Sequence, residues 1–255
     1  MDKLTIIKVG GKIVEEEQSL RQLLKDFSLI EGYKILVHGG GRSATKLAEK
    51  LGIESRMVNG RRVTDRDTLE IVTMVYGGLV NKNIFAGLQA LGVNALGLTG
   101  ADMNIIRSEK RPVKEVDYGF VGDVKEVNAE TLSSLIQQGI VPILAPLTHD
   151  KEGNILNTNA DTIAGETAKA LALKFDVTLI YCFEKKGVLM NENDDESVIP
   201  DINKATFEQL VKDGIVQGGM IPKLENAFQA IEKGVKEVII TSASEFGENT
   251  GTRIC

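Results

Sequence analysis

Residues 4–11 read Leu-Thr-Ile-Ile-Lys-Val-Gly-Gly, an apolar run of strand length that ends in a lysine and two glycines. The run is rich in Ile and nearly continuous in its hydrophobicity, which is typical of a strand buried on both faces of a sheet. Similar short runs recur along the chain. The pattern predicts strands at Leu4–Val9, Lys34–His38, Asn94–Leu98, Ile140–Ala145, Val177–Cys182 and Glu237–Thr241.

Longer stretches with a period of 3.6 residues separate these runs and predict helices. They lie at Leu20–Phe27, Ala44–Leu51, Leu69–Leu91, Ala129–Gln138, Thr162–Leu173, Phe207–Lys212 and Leu224–Lys233. Strands that alternate with helices form parallel sheets, and strands buried on both faces need helices on both sides. The sequence therefore predicts an α/β fold, a three-layer αβα sandwich around a central, mainly parallel sheet.

Two stretches interrupt the alternation of strands and helices, Ile53–Thr64 and Ile105–Val127. Glycine, charge and short β-like segments there predict hairpins or lids around a cleft. A break at Lys174-Phe175-Asp176 suggests two lobes, which we expect to span residues 1–173 and 174–255.

Composition restricts the class of protein. Of 255 residues, 42% are hydrophobic and 26% are charged, which indicates a globular chain, and no uninterrupted apolar run approaches membrane-spanning length. The net charge of −6 disfavours an extended nucleic-acid surface, and two cysteines and two histidines without ligand spacing disfavour a zinc or iron site. No targeting segment is visible, so we expect a cytoplasmic protein without membrane or nucleic-acid partners.

The predicted first and second strands both end in glycines, Gly10-Gly11 after Lys8 and Gly39-Gly40-Gly41 after His38. Ligands of open α/β sheets bind at this end of the strands, where glycine amides and a helix N-terminus can hold a phosphate. Taken alone, the first motif is equally compatible with a tight turn whose lysine reaches solvent. The second also fits the short dinucleotide pattern Gly39-x-Gly41-x-x-Ala44, although that pattern normally follows the first strand.

Three further motifs carry charge at predicted turns. Arg61 and Arg62 lie on a glycine-containing turn before a helix that Thr64 or Asp65 could cap, and an arginine fork fits a carboxylate. A solvated basic turn is the simpler interpretation of these arginines by themselves. Asp161 falls in the first turn of a helix, where a carboxylate suits the helix dipole whatever its function.

Lys223 also lies near a predicted helix N-terminus, after Gly218-Gly219 and next to Pro222. A cation is electrostatically unfavourable at this end of a helix, and an anion in front of it would explain the lysine. Lys8 and Lys223 could therefore converge on one phosphoryl group, with Asp161 between their ammonium groups.

Together, these motifs resemble the amino-acid kinase family, and within it the branch that phosphorylates acylglutamates, over essentially the whole chain. The matching motifs follow one another in the family's order. They are Lys8-Val9-Gly10-Gly11, His38-Gly39-Gly40-Gly41, Asn59-Gly60-x-Arg62-Val63-Thr64, Gly119-Phe120-Val121-Gly122, Asn157-x-Asn159-Ala160-Asp161 and Gly219-Met220-Ile221-Pro222-Lys223.

The resemblance implies a role for each matched residue. It implies transfer of the γ-phosphoryl group of ATP to the side-chain carboxylate of an N-acylglutamate, in arginine biosynthesis, with Mg²⁺ held mainly by the nucleotide. In this assignment Lys8 and Lys223 stabilise the transferring group and Asp161 organises the two lysines. The implied substrate-binding residues are Gly40, Gly41, Arg62 and Asn157, and the implied nucleotide-binding residues are Gly10, Gly11, Glu184, Gly187 and Gly219.

The chain departs from its relatives at three places. Relatives typically carry Thr-Asp-Val-x-Gly where this chain has Phe183-Glu184-Lys185-Lys186-Gly187, which leaves the contacts to adenine open. Arg42 replaces a common proline and Arg61 a common apolar residue. Two additional cations suggest a more anionic substrate, such as N-succinylglutamate, although both arginines could simply face solvent.

The short segment before the first strand lacks the additional helix of arginine-inhibited relatives. The resemblance therefore implies a homodimer that is insensitive to arginine. It also implies that residues 1–173 bind the acyl amino acid and form the dimer, and that residues 174–255 bind ATP.

Two rival functions remain at this stage. A dinucleotide-binding oxidoreductase would leave Lys8, Lys223 and Asp161 unexplained. A catalytically silent metabolite sensor would not require these charged residues.

Overall fold

The computed structural model of the chain describes residues 1–58, 60–243 and 250–255. Asn59, part of the predicted arginine turn, lies outside the described residues. Within them the strands are, in chain order, β1 (Lys3–Val9), β2 (Tyr33–His38), β3 (Met57–Val58), β4 (Arg61–Arg62), β5 (Ala95–Leu98), β6 (Ile106–Lys110), β7 (Gly122–Val127), β8 (Val141–Leu144), β9 (Leu147–His149), β10 (Ile155–Asn157), β11 (Asp176–Phe183), β12 (Asp201–Ile202), β13 (Glu237–Ser242) and β14 (Thr252–Ile254).

The helices lie close to the predicted positions. Most of them begin a few residues earlier in the chain than predicted. They are α1 (Gly11–Glu15), α2 (Glu17–Ser28), α3 (Gly41–Lys50), α4 (Arg66–Val72), α5 (Asn81–Ala90), α6 (Ala129–Gln137), α7 (Ala160–Leu171), α8 (Lys204–Lys212) and α9 (Met220–Glu232). A π-helical segment, Thr73–Val80, joins α4 to α5. The short helix α1 lies where the sequence predicted only a turn.

The central sheet has the order β12-β14-β13-β11-β1-β2-β8-β5. Its pairs are parallel except for β13 with β14. Alternate residues of β1 enter two separate cores, Leu4 and Ile6 on one face and Ile7 and Val9 on the other. Helix residues complete both cores, which confirms the predicted three-layer α/β sandwich.

A smaller sheet, β10-β9-β6-β7, and the β3–β4 hairpin stand beside the central sheet. The hairpin and the β6–β7 pair fall in the two irregular stretches that were predicted to border a cleft. Single bridges, Thr64 to Gly119 and Val121 to Asn157, tie these segments together. The result is a wall near the carboxyl ends of β1 and β2.

The continuous helix Arg66–Ala90 contains the π segment and is, among the described residues, the one helix long and apolar enough to cross a membrane by length and composition alone. From the sequence we expected no membrane-spanning segment, because no apolar run approaches that length. Buried residues such as Val75, Ile84 and Leu88 belong to one of the two cores, and a core helix of a water-soluble protein passes the same test.

The predicted boundary between the lobes falls between α7 and β11. Because β11 pairs with β1 along its length, the central sheet continues across this boundary. The division into residues 1–173 and 174–255 stays a prediction about function rather than an observed separation.

Candidate active site

Lys8 and Asp161 form an ion pair at the carboxyl end of β1. The Lys8 Nζ lies 2.8 Å from Asp161 Oδ1, and the two side chains are only 9% and 15% exposed. Asp161 is held in the first turn of α7, where the N-cap residue Asn159 accepts hydrogen bonds from the backbone N–H groups of Asp161 and Thr162. Asn159 was not singled out as a cap from the sequence. Because this cap fixes the first turn of α7, it also fixes the position of the Asp161 carboxylate that faces Lys8.

Lys223 approaches the same place from α9. Its ammonium nitrogen lies 3.7 Å from the centroid of the Phe183 ring. Burial lowers the pKa of Lys223; the Asp161 carboxylate opposes this shift and the Lys8 ammonium adds to it. Lys8, Lys223 and Asp161 are thus brought together as the sequence predicted, and two cations around one carboxylate leave a net positive charge for an anion.

The glycine turns after β1 and β2 pack directly against each other. A Cβ on Gly11 would lie 3.6 Å from the backbone nitrogens of both Gly40 and Gly41, and one on Gly39 would lie 3.2 Å from Gly11 N. The ten-residue helix α3 begins at Gly41. Backbone amides at these adjacent turns can therefore approach an anion closely, as predicted for a phosphate cradle.

A cavity of about 210 Å³ opens beside the cradle. Its lining includes all four residues predicted to hold the substrate, together with Arg61 and Tyr76. They are Gly40, Gly41, Arg62 and Asn157. Tyr76 had no signal in the sequence, yet its ring leaves no room for a side chain on Gly40, whose Cβ would lie 2.9 Å from Tyr76 Cδ1.

The Arg62 guanidinium is buried and held by oxygen atoms. It donates from Nη2 to Gly41 O at 2.9 Å and to Thr45 Oγ1 at 2.8 Å, and from Nη1 to Ser55 Oγ at 2.7 Å. None of these three acceptors carries a charge. The positive charge of Arg62 therefore remains available to an anion in the cavity.

The wall of the cavity is a chain of hydrogen bonds centred on Thr64. Asn157 Nδ2 donates to Thr64 Oγ1 at 2.9 Å, and the backbone N–H of Phe120 donates to Thr64 O at 2.7 Å. Asp65, one of the two caps considered, is the N-cap of α4 and accepts from Thr68 N. Segments distant in sequence thus hold Asn157 against the cavity.

His38 is a buried histidine that supports the cradle. Its Nδ1 donates to Gly39 O at 2.7 Å, and its Nε2 accepts from Asn81 Nδ2 at 3.1 Å. Burial lowers the pKa of His38 to about 4, so the ring is neutral near pH 7. A neutral ring fixed at both nitrogens is a structural support for the Gly39 carbonyl, not a general base.

On the other side of the lysines, Glu184 bridges two cations. Its carboxylate lies 3.3 Å from Lys12 Nζ and 3.0 Å from Arg42 Nη2. Arg42 therefore faces Glu184 and a cavity of about 230 Å³ that Gly10 and Gly11 also line, instead of the cavity of Arg62. Of the two additional arginines, Arg61 alone lines the predicted substrate cavity.

The remaining predicted nucleotide residues lie near a third cavity, of about 570 Å³. Gly187 lines it with Gly218 and Met220, and Gly219 stands between the latter two. A Cβ on Gly187 would lie 2.8 Å from Thr252 Oγ1. Close packing against Thr252 therefore also explains why this residue is a glycine.

Comparison with known proteins identifies the family of the chain. The amino acid kinase family model matches residues 3–242. The chain is 76% identical over 254 residues to the acetylglutamate kinase of Parabacteroides distasonis, with a coverage of 100% for each chain. It is 74% identical to the acetylglutamate kinase of Bacteroides thetaiotaomicron, covering 99% of this chain and 98% of the other.

A solved structure has a similar fold. The Streptococcus mutans protein smu.665 superposes with a TM-score of 0.81 at 30% identity, covering 98% of each chain. The sheet, the paired glycine turns and the two lysines around Asp161 form a site on an α/β fold that could hold a phosphoryl group. The chain belongs to the amino acid kinase family, as its motifs predicted.

Proposed function

We propose that this protein transfers the γ-phosphoryl group of ATP to the side-chain carboxylate of an N-acylglutamate, as an N-acetylglutamate kinase of arginine biosynthesis. The observation that carries the proposal is the position of the Lys8–Asp161–Lys223 cluster. It lies beside the glycine cradle, with the Arg62 cavity on one side and the Glu184 cavity on the other. The relatives named acetylglutamate kinase, at 74–76% identity, support the choice of substrate.

The chemistry needs no general base. A glutamate side chain titrates near pH ~4.3, so the accepting carboxylate is already ionised at neutral pH. Its oxygen forms a bond to the γ-phosphorus, and the bond to the β,γ-bridging oxygen breaks with its electron pair leaving on ADP. Lys8 and Lys223 offset the charge that spreads over the phosphoryl oxygens, and the glycine amides hold that group in line.

Arg62 and Asn157 are proposed to position the acceptor. The Arg62 guanidinium would pair with the α-carboxylate of the acylglutamate, since its own partners are neutral oxygens. Asn157 would hold the acyl amide from the wall fixed by Thr64. These contacts leave the side-chain carboxylate free to face the lysines.

Magnesium fits poorly as a protein-bound ion. Within residues 1–58, 60–243 and 250–255, no group of three His, Cys, Asp or Glu side chains could hold a metal ion. The Asp161 carboxylate at the site already contacts Lys8. We therefore expect magnesium to be carried by the nucleotide phosphates, and no step above depends on it.

The nucleotide is proposed to extend from Gly10 and Gly11 toward Gly187 and Gly219. In this path residues 174–255 would make most of the contacts to the nucleotide, with Gly10 and Gly11 at its phosphates. The acceptor would lie against residues 1–173. A cytoplasmic location and the absence of nucleic-acid and membrane partners stay predictions from composition.

The test of the function is ADP release from Mg-ATP with a panel of acceptors. The acceptors to compare are N-acetylglutamate, N-succinylglutamate, glutamate, aspartate, carbamate and UMP. Binding of NADH would be measured separately on the same protein. We expect turnover with an N-acylglutamate and no binding of NADH. Binding of NADH without turnover would favour the oxidoreductase alternative, and metabolite binding without turnover would favour the sensor.

The position of Arg61 favours an acyl group that carries its own carboxylate, such as N-succinyl. We expect Arg61→Leu to lower kcat/KM for N-succinylglutamate about tenfold relative to N-acetylglutamate, because one charge-assisted contact is lost. The measurement is the ratio of kcat/KM for the two substrates. Arg42→Pro is the matched control, since Arg42 pairs with Glu184, and the ratio should not change in it. An unchanged ratio in Arg61→Leu would mean that Arg61 faces solvent and does not contact the acyl group.

A homodimer is proposed from an apolar surface on the helix Arg66–Ala90. Met74 and Leu79 of this helix are 53% and 58% exposed. A second copy could bury these two apolar side chains.

We expect light scattering to give twice the mass of one chain, and Leu79→Asp to give the mass of a single chain. Leu173→Asp replaces an apolar side chain that is 84% exposed elsewhere, and this control should stay dimeric. A monomeric parent protein would contradict the proposal.

A further inference from the structure

Phe183 is the last residue of β11, next to the end of β1. Its ring lies below both predicted catalytic lysines, with its centroid 3.7 Å from Lys223 Nζ and 5.0 Å from Lys8 Nζ. The ring in turn stacks on Tyr181, with centroids 6.1 Å apart and an interplanar angle of 7°. Both ammonium groups therefore face one aromatic platform.

We propose that Phe183 is a positioning residue that holds the ammonium groups of Lys8 and Lys223 on its π face, ready for the transferring phosphoryl group. This inference depends on the proposed kinase function and adds a residue to its machinery. Phe183 acts through the lysines and forms no bond to the reacting atoms.

The physical reason is the repulsion between two neighbouring cations. Asp161 contacts Lys8 at 2.8 Å, while the ion pairs found among the described residues include none made by Lys223. The negative face of an aromatic ring attracts ammonium groups most strongly where water is excluded, and Lys223 is more than half buried. The ring thus offsets part of the repulsion and holds Lys223 close to Lys8.

The platform is itself fixed. Tyr181 is buried, with 2% of its surface exposed, and its hydroxyl donates to the backbone carbonyl of Asp161 at 3.3 Å. Register on the sheet places Tyr181 beside Lys8. The two stacked rings therefore connect β11 to the helix that carries Asp161, and this restricts where the Phe183 ring can lie.

A different function for Phe183 would be to contact the nucleotide. The ring also lines the cavity shared by Gly10, Gly11 and Glu184. A residue that contacts only the nucleotide changes KM for ATP, whereas one that positions the lysines changes kcat. This difference separates the two roles by experiment.

The test uses Phe183→Leu and Phe183→Tyr in the full-length protein, with kcat and both KM values measured by ADP release. We expect Phe183→Leu to lower kcat about tenfold, with KM for ATP and for the acylglutamate nearly unchanged, because the lysines lose the π face. Phe183→Tyr should restore most of kcat. Phe207→Leu, which removes a ring that pairs with Phe228 in the same part of the chain, is the control for aromatic packing and should match the parent protein.

The pH dependence is a second readout. Lys223 faces Asp161 of α7 and Lys8 of β1, with Tyr181 of β11 beneath Phe183. Removing the π face destabilises the ammonium form of Lys223 and lowers its pKa further. Since the ammonium form is the active one, kcat/KM in Phe183→Leu should begin to fall at a lower pH on the alkaline side.

Three results would overturn the role of Phe183. They are an unchanged kcat in Phe183→Leu, a rise in KM for ATP alone, and equal loss in Phe183→Tyr and Phe183→Leu. Failure of the proposed function is recognised separately, because the parent protein would then show no turnover with any acceptor.

Discussion

Lys8→Met is expected to lower kcat about 10³-fold while leaving the fold intact. Methionine retains an apolar stem of similar length but removes the ammonium group that contacts Asp161 at 2.8 Å. Removing one donor from the oxyanion hole of an acyl-transfer enzyme costs about 10²- to 10³-fold in rate, and we expect a loss of this order for phosphoryl transfer. The Asp161 carboxylate would then also face the phosphoryl group without its partner, which places the expected loss at the upper end.

The measurement is kcat from ADP release with an N-acylglutamate, alongside thermal unfolding of the same preparation. Lys3→Ala is the matched control, because Lys3 lies on the same strand at its opposite, exposed end. The control should keep the parent kcat. A Lys8→Met protein that retained kcat within tenfold would remove Lys8 from the catalytic machinery.

Gly119→Ala is expected to cause the largest loss of stability from a single added methyl group. Gly119 has φ +69°, and a Cβ there would lie 2.2 Å from Thr64 O and 2.8 Å from Thr64 C. Both atoms are backbone, so relief requires the strand bridge between the two segments to open. We expect the free energy of unfolding to fall by at least about 2 kcal/mol, from the left-handed conformation and the clash together.

The same change should weaken binding of the acceptor, because Thr64 holds Asn157 at the cavity wall. Thermal unfolding and KM for the N-acylglutamate are the measurements. Gly139→Ala separates the two causes, since Gly139 has φ +77° but no atom within 4 Å of its Cβ. If both variants lost the same stability, the clash at Thr64 would have no energetic consequence.

Predictions of the central elements succeeded where periodicity was strong. The predicted strand Leu4–Val9 lies within β1, and most helices differ by only a few residues at their ends. The helix α1 was missed because glycines at positions 10 and 11 indicate a turn, and tertiary contacts stabilise five helical residues there. The π segment Thr73–Val80 cannot be distinguished from α-helix by its apolar pattern.

Short strands were missed for a different reason. β9, β10 and β14 have three residues each, too few for an alternating pattern to stand out. Their pairing depends on partners distant in sequence, such as β13 for β14. No local rule contains that information.

The candidate site divides in the same way. The glycine turns, Lys8, Asp161 and Lys223 were recognisable as motifs, because glycines and charged residues stand out at the ends of apolar runs and at predicted helix starts. Tyr76, Tyr181 and Asn81 carried no such signal, since a buried aromatic residue or amide inside a helix or strand resembles ordinary core. Phe183 was noticed only as a departure from the relatives.

The sequence by itself therefore determined the class of fold, the positions of the glycine turns and the identity of the charged residues. Those properties are local, as strand length, glycine content and charge are fixed by neighbours along the chain. Tertiary structure alone decided that Arg42 turns to Glu184 while Arg61 lines the cavity, and that one ring lies under both lysines. These outcomes depend on which side chains meet across β1, β11, α3 and α9, and the hydrophobic packing of distant segments sets those distances.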